Sequence, residues 1–353
     1  MEAWFSTQLI NWYKQNKRDL PWRTTNDPYK IWLSEIILQQ TQVIQGLAYY
    51  NRFVERYPTV AKLANAEQEE VLKLWQGLGY YARARNLHTA AKQVVEQFDG
   101  KFPATYAELR MLKGVGEYTA AAIASFAFKE AHAVVDGNVY RFLSRLFGIS
   151  EPIDGTQGKR IFSELAHELL NKKQPDMHNQ AIMEFGSQYC KVQQPNCNDC
   201  IFSSRCEAFK SGTVLDLPVK AKKTKVSLRF FHYLILLDKK KNFVLRKRGE
   251  GDIWQGLYEY YCIETAGADE FPKLKVHEKF KQLKAKEIVL IARSKWYKHQ
   301  LSHQLINARF YTLSAEYKLP EGCISCNSEK MQKMSLPRLI TKYLEDQEFK
   351  EKK

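Results

Sequence analysis

Four of the seven cysteines fall in one short stretch, Cys190-x6-Cys197-x2-Cys200-x5-Cys206. Four thiols this close are too dense for ordinary core packing. Disulfides are disfavoured in a chain whose first residues carry an early acid and no apolar secretion core, so a metal centre is the natural use. Zinc and a [4Fe–4S] cluster both accept four thiolates. Structural zinc usually pairs two CxxC-like arms, whereas here one CxxC lies between two longer spacers, which tilts ligand chemistry toward iron–sulfur while leaving zinc open. Cys262, Cys323 and Cys326 are left over and read as packing or surface residues.

Two carboxylates could also do chemistry. Asp136, in Val134-Val135-Asp136-Gly137-Asn138-Val139, follows two valines where a chain leaves a core. Taken alone it reads first as the cap of a helix Val139–Leu146, because aspartate is a favoured N-cap. Glu35 lies between Trp32 and the pair Ile36-Ile37. Its plain reading is a cap or an ion-pair acid, yet an acid on so apolar a helix is costly to bury unless protonated or paired. That is the setting in which a general acid is poised. A third feature, Leu112-Lys113-Gly114-Val115-Gly116-Glu117-Tyr118-Thr119, places two glycines one residue apart before an alanine-rich run. Backbone amides at such a turn can bind a phosphate oxygen, although an ordinary helix start explains a lone GxG equally well.

The elements that must carry these residues differ along the chain. Up to about residue 188 the apolar spacing is helical, with Trp4, Leu9, Trp12 and Tyr13 as its first stripe and Ala120 to Ala127 as a buried helix. Residues 213–226, with Pro218 and four lysines, read as a linker. Short β-rich runs follow at 230–237, 243–246, 257–263, 288–292 and 309–313, then a helix over 337–344 and a charged tail. The boundaries expected are 1–189 for a helical domain, 190–212 for the cysteine loop, 213–226 for the linker, 227–345 for an α+β domain and 346–353 for the tail.

With 353 residues, 44% of them hydrophobic, the chain can bury two cores and is not disordered. No run approaches the ~20 apolar residues of a membrane helix, so a soluble intracellular protein is expected, in the cytoplasm or nucleoid if bacterial. The net charge of +15 is uneven: residues 1–212 carry 25 basic and 22 acidic residues, and residues 213–353 carry 29 and 17. Clusters stand at Lys220, Lys222, Lys223 and Lys225, at Lys239-Lys240-Lys241 and at Arg246-Lys247-Arg248. Such a field attracts nucleic acid, or merely keeps the protein in solution.

In their order and spacing, the Gly114-Val115-Gly116 hairpin, the stretch Val135-Asp136-Gly137-Asn138-Val139-x-Arg141 and the cysteine loop resemble the endonuclease III superfamily of helix-hairpin-helix DNA glycosylases, over about residues 1–212. The resemblance implies a multidomain fold with an all-α glycosylase domain and an iron–sulfur loop. It implies that Gly114, Val115 and Gly116 grip DNA phosphates and that Asp136 acts at the sugar. It also implies that Cys190, Cys197, Cys200 and Cys206 hold one [4Fe–4S] cluster. Members that also cut the strand have a lysine two residues after the second glycine as a Schiff-base nucleophile; Tyr118 stands there, which implies a monofunctional enzyme.

Three further stretches are similar to the adenine DNA glycosylases, the MutY family. These are Leu20-Pro21-Trp22-Arg23, the segment from Ser34 to Val43 that carries Glu35, and Gln76-Gly77-Leu78-Gly79-Tyr80-Tyr81 with the residues after it. This likeness implies that Glu35 protonates the five-membered-ring nitrogen of an extruded adenine while an ionised Asp136 steadies the oxocarbenium-like sugar, a parallel to retaining glycoside cleavage. Tyr118 and Asn138 would orient these groups and the water. Arg18, Leu20, Trp22, Arg23 and Gln180 would contact the adenine, and Gln40 and Tyr80 would fill the vacated stack.

Residues 251–259, Gly-Asp-Ile-Trp-Gln-Gly-Leu-Tyr-Glu, resemble the entry to a Nudix fold, but the acidic helix that would hold magnesium is missing. In the adenine glycosylases such a domain reads 8-oxoguanine. His299-Gln300-Leu301-Ser302-His303-Gln304 is similar to their recognition loop, with Leu301 where an aromatic is usual, so Ser302 and His303 are the expected readers. The expected partner is duplex DNA with an 8-oxoguanine·adenine or guanine·adenine mispair, bound by a monomer without membrane contact. The competing readings are an oxidised-pyrimidine glycosylase/lyase, a non-catalytic DNA-binding protein and a magnesium-dependent nucleotide hydrolase.

Overall fold

The computed structural model describes residues 2–221, 226–237 and 242–351, of which Glu2 and residues 348–351 by backbone alone. Lys222, Lys223 and Lys225, the run Lys239-Lys240-Lys241 and the last two residues of the tail lie outside the described residues. Among those described, no helix is long and apolar enough to cross a membrane. The chain forms two compact units: Met1–Asn65 with Asn86–Lys223, and Ala66–Arg85 with Thr224–Lys353.

The first unit is helical, as its apolar periodicity requires. The helices Glu2–Asn16, Gly137–Phe147, Thr156–Leu169 and Pro175–Gln188 bury Phe5, Leu9, Phe142, Leu143, Phe162 and Phe185 in one core. Burying each such side chain stabilises the fold by about 1.5–3 kcal/mol. A second contact sets the helix Pro28–Leu38 against Glu117–Phe128. The latter offers only small side chains at Ala120, Ala121, Ala122 and Ala124, all buried, so the two backbones can run close together. Pro28–Leu38 is opened by Asp27, whose carboxylate accepts the Tyr29 N–H at 3.0 Å, and by Pro28 at its first position.

The second unit is built on a seven-stranded mixed sheet. Its strands are β1 (Ser227–Leu237), β2 (Phe243–Lys247), β3 (Tyr258–Thr265), β4 (Lys286–Arg293), β5 (Tyr297–Gln300), β6 (Gln304–Glu316) and β7 (Cys323–Cys326). The order is β4-β6-β1-β3-β2-β7, with β5 also on β6; β1 and β6 run parallel and the remaining neighbours antiparallel. β1 is buried on both faces: Leu234 and Leu236 meet Phe271, Leu274 and Phe280 on one, while on the other Tyr233 stacks on Phe310, which stacks on Tyr343.

The five strands expected from sequence are all present. β5 and β7, four residues each and with no apolar alternation to reveal them, were not expected; Cys323 and Cys326 are the ends of β7 and pair with Arg246 and Phe243. Two boundaries are corrected. The helix Arg338–Glu351 runs on through most of the expected charged tail. Residues 66–85, expected within the helical domain 1–189, are grouped with the second unit, where their polar side chains find partners.

Candidate active site

Asp136 is held from two sides. The segment before it is pinned by the buried Asn179, whose amide donates to Ser125 Oγ (2.8 Å) and the His132 carbonyl (2.7 Å) and accepts the Val134 N–H (3.1 Å). Asp136 then caps the helix Gly137–Phe147: its Oδ1 accepts the N–H groups of Asn138 (2.9 Å) and Val139 (2.8 Å), and its Oδ2 accepts the Asn138 amide (2.7 Å). The capping reading is therefore correct as far as it goes. The helix Pro175–Gln188 comes against this corner because residue 186 is glycine; a Cβ there would stand 2.7 Å from the Asn138 carbonyl oxygen. Arg141 uses that approach, donating to the Gly186 carbonyl at 2.6 Å and to Asn138 Oδ1 at 3.0 Å.

Glu35 comes to the same place from the helix Pro28–Leu38. Both acids line a single cavity of about 340 Å³, together with Tyr118 and Asn138. That is within the order of 300–1,000 Å³ usual for small-molecule sites. Arg18, Leu20, Trp22, Arg23, Gln40 and Gln180 line it too. So ten residues named from sequence, scattered from position 18 to position 180, meet at one hollow. Gln40 reaches it from a left-handed backbone conformation (φ 53°) just past the end of its helix, with its side chain exposed.

The two acids differ in electrostatics. Burial raises the Glu35 carboxyl to about 7, the nearby Asp136 adds to the rise, and Tyr118, which hydrogen-bonds it, and Arg23 oppose it. Burial also moves Asp136 upward, but the capping bonds from Val139 and Asn138, and Arg141 beyond them, favour its carboxylate and pull the other way. Tyr118 is buried beside both acids and held well above its ordinary value, so it stays a neutral donor; its hydroxyl also approaches Met183 Sδ at 3.9 Å.

Sequence reasoning missed Glu184, the third acid lining this cavity. Its side chain is fully buried between Arg18, which donates at 2.8 and 2.5 Å, and Arg23, which donates at 2.9 and 2.7 Å. Burial alone would raise its carboxyl, yet Arg23 and Arg18 hold it down at about 2. Arg18 and Arg23 thus reach the cavity as ion-pair partners, their donors largely committed to Glu184. Gln180, one turn before Glu184, accepts the Tyr13 hydroxyl at 2.5 Å. The available signal was two pocket arginines with no acid assigned to them, and the i, i+4 spacing of Gln180 and Glu184.

The hairpin Gly114-Val115-Gly116 lies between the helices Tyr106–Leu109 and Glu117–Phe128. Gly114 has φ 79°, and a Cβ on it would stand 2.7 Å from Asn86 Cβ, so glycine is required twice over. Val115 is buried, which leaves the backbone as the hairpin's outward chemistry.

The four loop cysteines border a second, narrow cavity walled by Phe142, Phe185 and Phe202. Donors face their sulfurs: Arg145 lies 3.5 Å from Cys190 Sγ, and the Phe202 N–H 3.5 Å from Cys200 Sγ.

Tyr80, Ser302 and His303 belong to the second unit. Ser302 and His303 are exposed at the tip of the β5–β6 hairpin, closed by the Leu301 N–H donating to the Gln304 carbonyl at 2.8 Å. Tyr80, at φ 47°, hydrogen-bonds through its hydroxyl with Ser302 Oγ.

Comparison with known proteins fits this geometry. Residues 33–169 match the HhH-GPD superfamily of base excision DNA repair proteins, and residues 232–346 match the NUDIX domain. An adenine DNA glycosylase of Buchnera aphidicola (from Acyrthosiphon pisum) is 30% identical over 351 residues, 97% of each chain. This chain belongs to the adenine DNA glycosylase family. Family members from Arabidopsis thaliana and Homo sapiens are 39% and 44% identical over 72% and 58% of this chain, stretches that span only 46% and 39% of those longer proteins. A solved thermostable thymine-DNA glycosylase superposes on 60% of this chain and 97% of its own with a TM-score of 0.56 and 28% identity. An endonuclease III–DNA complex gives 0.52 over 60% of this chain and 98% of its own; at 22% identity it speaks to the fold alone.

Proposed function

We propose that this chain is a base-excision-repair enzyme that removes adenine mispaired with 8-oxoguanine or guanine in duplex DNA, by hydrolysis and without strand cleavage. The observation that carries the reading is the meeting of Glu35, its carboxyl raised by burial to about 7, and Asp136 at one purine-sized hollow. An adenine inside the duplex must be extruded, at a cost of a few kcal/mol, before it can enter. Trp22 and Leu20 offer it apolar wall, and Arg18, Arg23 and Gln180 polar edges.

Glu35 holds the proton that the departing base needs, and donates it to the five-membered-ring nitrogen as the glycosidic bond breaks. Asp136 faces the sugar as positive character develops there, and each increment of that charge favours its carboxylate further. Tyr118 and Asn138 hold the two acids in register. Water completes the hydrolysis. Tyr118 supplies no amine, so the sugar is not captured as a Schiff base and the strand stays intact.

Cys190, Cys197, Cys200 and Cys206 would hold one [4Fe–4S] cluster; the four thiols border one cavity, and N–H donors face sulfur there. Its contribution when bound is to cross-link residues 190–206. The Gly114–Gly116 backbone would bind a DNA phosphate, and Ser302 with His303 would hydrogen-bond the edge of the opposite base.

The test is a duplex with a single 8-oxoguanine·adenine pair, assayed for free adenine and, before any alkali, for nicked strand. Adenine release with intact strand is expected. Adenine release accompanied by stoichiometric nicking would overturn the monofunctional reading, and no release at all would overturn the function.

A further inference from the structure

The segment 66–85 is tied to the second unit by a row of polar contacts. Lys73 Nζ donates to the carbonyl oxygens of Gln332 (2.6 Å) and Met334 (2.9 Å), which end the helix Ser328–Lys333. Gln76 Oε1 accepts the Leu336 N–H at 3.3 Å, and Arg85 donates to the Gln255 carbonyl (2.8 Å) and side chain (3.1 Å). Glu69 accepts from Lys247 (2.7 Å) and from the Tyr258 hydroxyl (2.9 Å). Between these anchors the turn before Tyr80 is braced: Trp75 Nε1 donates to the Gly79 carbonyl at 3.0 Å, and Arg83 lies over the rings of Trp75 and Tyr80. The turn ends in the Tyr80–Ser302 hydrogen bond.

These contacts differ in weight. The Glu69–Lys247 pair is exposed, and such pairs contribute little. Lys73 is half-buried and satisfies two terminal helix carbonyls with a charged donor, the stronger kind of bond. Resting on the function proposed above, we infer that Lys73 is a positioning residue for opposite-base discrimination: by anchoring the 66–85 segment it holds Tyr80 against Ser302, so that the two read the opposite base as one surface. Lys73 itself touches no DNA. Its loss lets Tyr80 and the β5–β6 hairpin separate, and the preference for 8-oxoguanine over guanine falls while the chemistry at Glu35 and Asp136 continues.

The test compares Lys73→Met, which keeps the aliphatic stem and removes the donors, with Lys73→Arg, which restores them. Two readouts are taken: the single-turnover rate ratio for adenine release opposite 8-oxoguanine against guanine, and hydrogen exchange at the amides of Gln300–Gln304 in the free protein. Lys73→Met is expected to lower the ratio about tenfold to a hundredfold, the scale of one lost charged hydrogen bond, with the rate opposite guanine unchanged. Exchange at the hairpin should rise, and Lys73→Arg should return both readouts toward wild type. An unchanged ratio in Lys73→Met, or equal slowing opposite both bases, overturns the inference. Should the wild type release no adenine, the functional reading fails separately, and the exchange arm decides: unaltered protection at 300–304 would sink the anchor.

Discussion

Replacing Glu35 by glutamine separates the proton-donor reading from a merely structural one, because the two predict opposite effects on stability. In the fold the Glu35 carboxyl stands at about 7, whereas unfolded it titrates near its ordinary value, about 4.3. Between those two pH values the folded protein holds a proton that the unfolded chain has released, so stability falls as pH rises through the window, and the penalty is complete above 7. At about 1.4 kcal/mol per pH unit the penalty approaches about 4 kcal/mol. Glutamine has nearly the same shape and cannot ionise, so Glu35→Gln should stabilise the free protein at pH 8.5 by up to that amount. For a unit of about 200 residues this is a rise of about 8–16 °C in Tm. The gain should vanish at pH 4, where both states of the wild-type residue are protonated. The same variant should lose adenine release. In wild type, the single-turnover rate should be level just below pH 7, for as long as Asp136 stays ionised, and fall about tenfold per pH unit above it. Thermal unfolding of both proteins at pH 4, 6 and 8.5, beside quenched release assays, measures all of this. A glutamine variant no more stable than wild type at pH 8.5, or a wild-type rate flat to pH 9, would refute the argument.

Asp136→Asn should keep the fold, since asparagine caps a helix about as well as aspartate, and should abolish adenine release while duplex binding persists in a filter or anisotropy assay. Glu184→Gln strips the charge that Arg18 and Arg23 share and should destabilise the protein by about 3–5 kcal/mol in denaturant titration. In wild type, Glu184 lies at about 2, below its ordinary value, so its stabilisation is complete above about 4.3 and drains away as pH falls toward 2. Gly114→Ala imposes a side chain at φ 79° against Asn86; duplex affinity should drop, measured by titration at fixed salt, while adenine already bound is released at the wild-type single-turnover rate.

What was legible in the sequence follows from how local each signal is. Asp136 could be picked out because cap, valine pair and Gly-Asn are adjacent, and the hairpin because its glycines are. Glu35 could be picked out as an acid on an apolar helix, but its meeting with Asp136 came only through resemblance: no periodicity links two residues 101 positions apart. Glu184 was invisible for the converse reason. It lies on an ordinary amphipathic helix, and its importance arises from Arg18 and Arg23, brought to it by tertiary packing. The anchoring of residues 66–85 left no trace because the acceptors of Lys73 are backbone carbonyls, which every residue carries. β5 escaped because its pairing with β6, rather than any apolar alternation in Tyr-Lys-His-Gln, makes it a strand.

Glu35 and Glu184 line the same cavity and share the same chemistry in isolation, yet the fold sends them in opposite directions, one to about 7 and the other to about 2. Burial is common to both, so it cannot explain the difference. What separates them is the nearest neighbours: two guanidiniums grip Glu184 through hydrogen bonds, whereas Glu35 hydrogen-bonds a neutral phenol, faces a second carboxyl and feels Arg23 only as an unbonded charge. The arginines that hold Glu184 are thereby prevented from pairing with Glu35. Arg23, which already acts weakly on Glu35, would once freed from Glu184 be available to ionise the proton donor. The Glu184 ion pairs thus have a catalytic consequence at a distance: in Glu184→Gln the alkaline limb of the release rate should move to lower pH along with the loss of stability. A limb that stays put in a variant destabilised as expected would confine Glu184 to holding the pocket together.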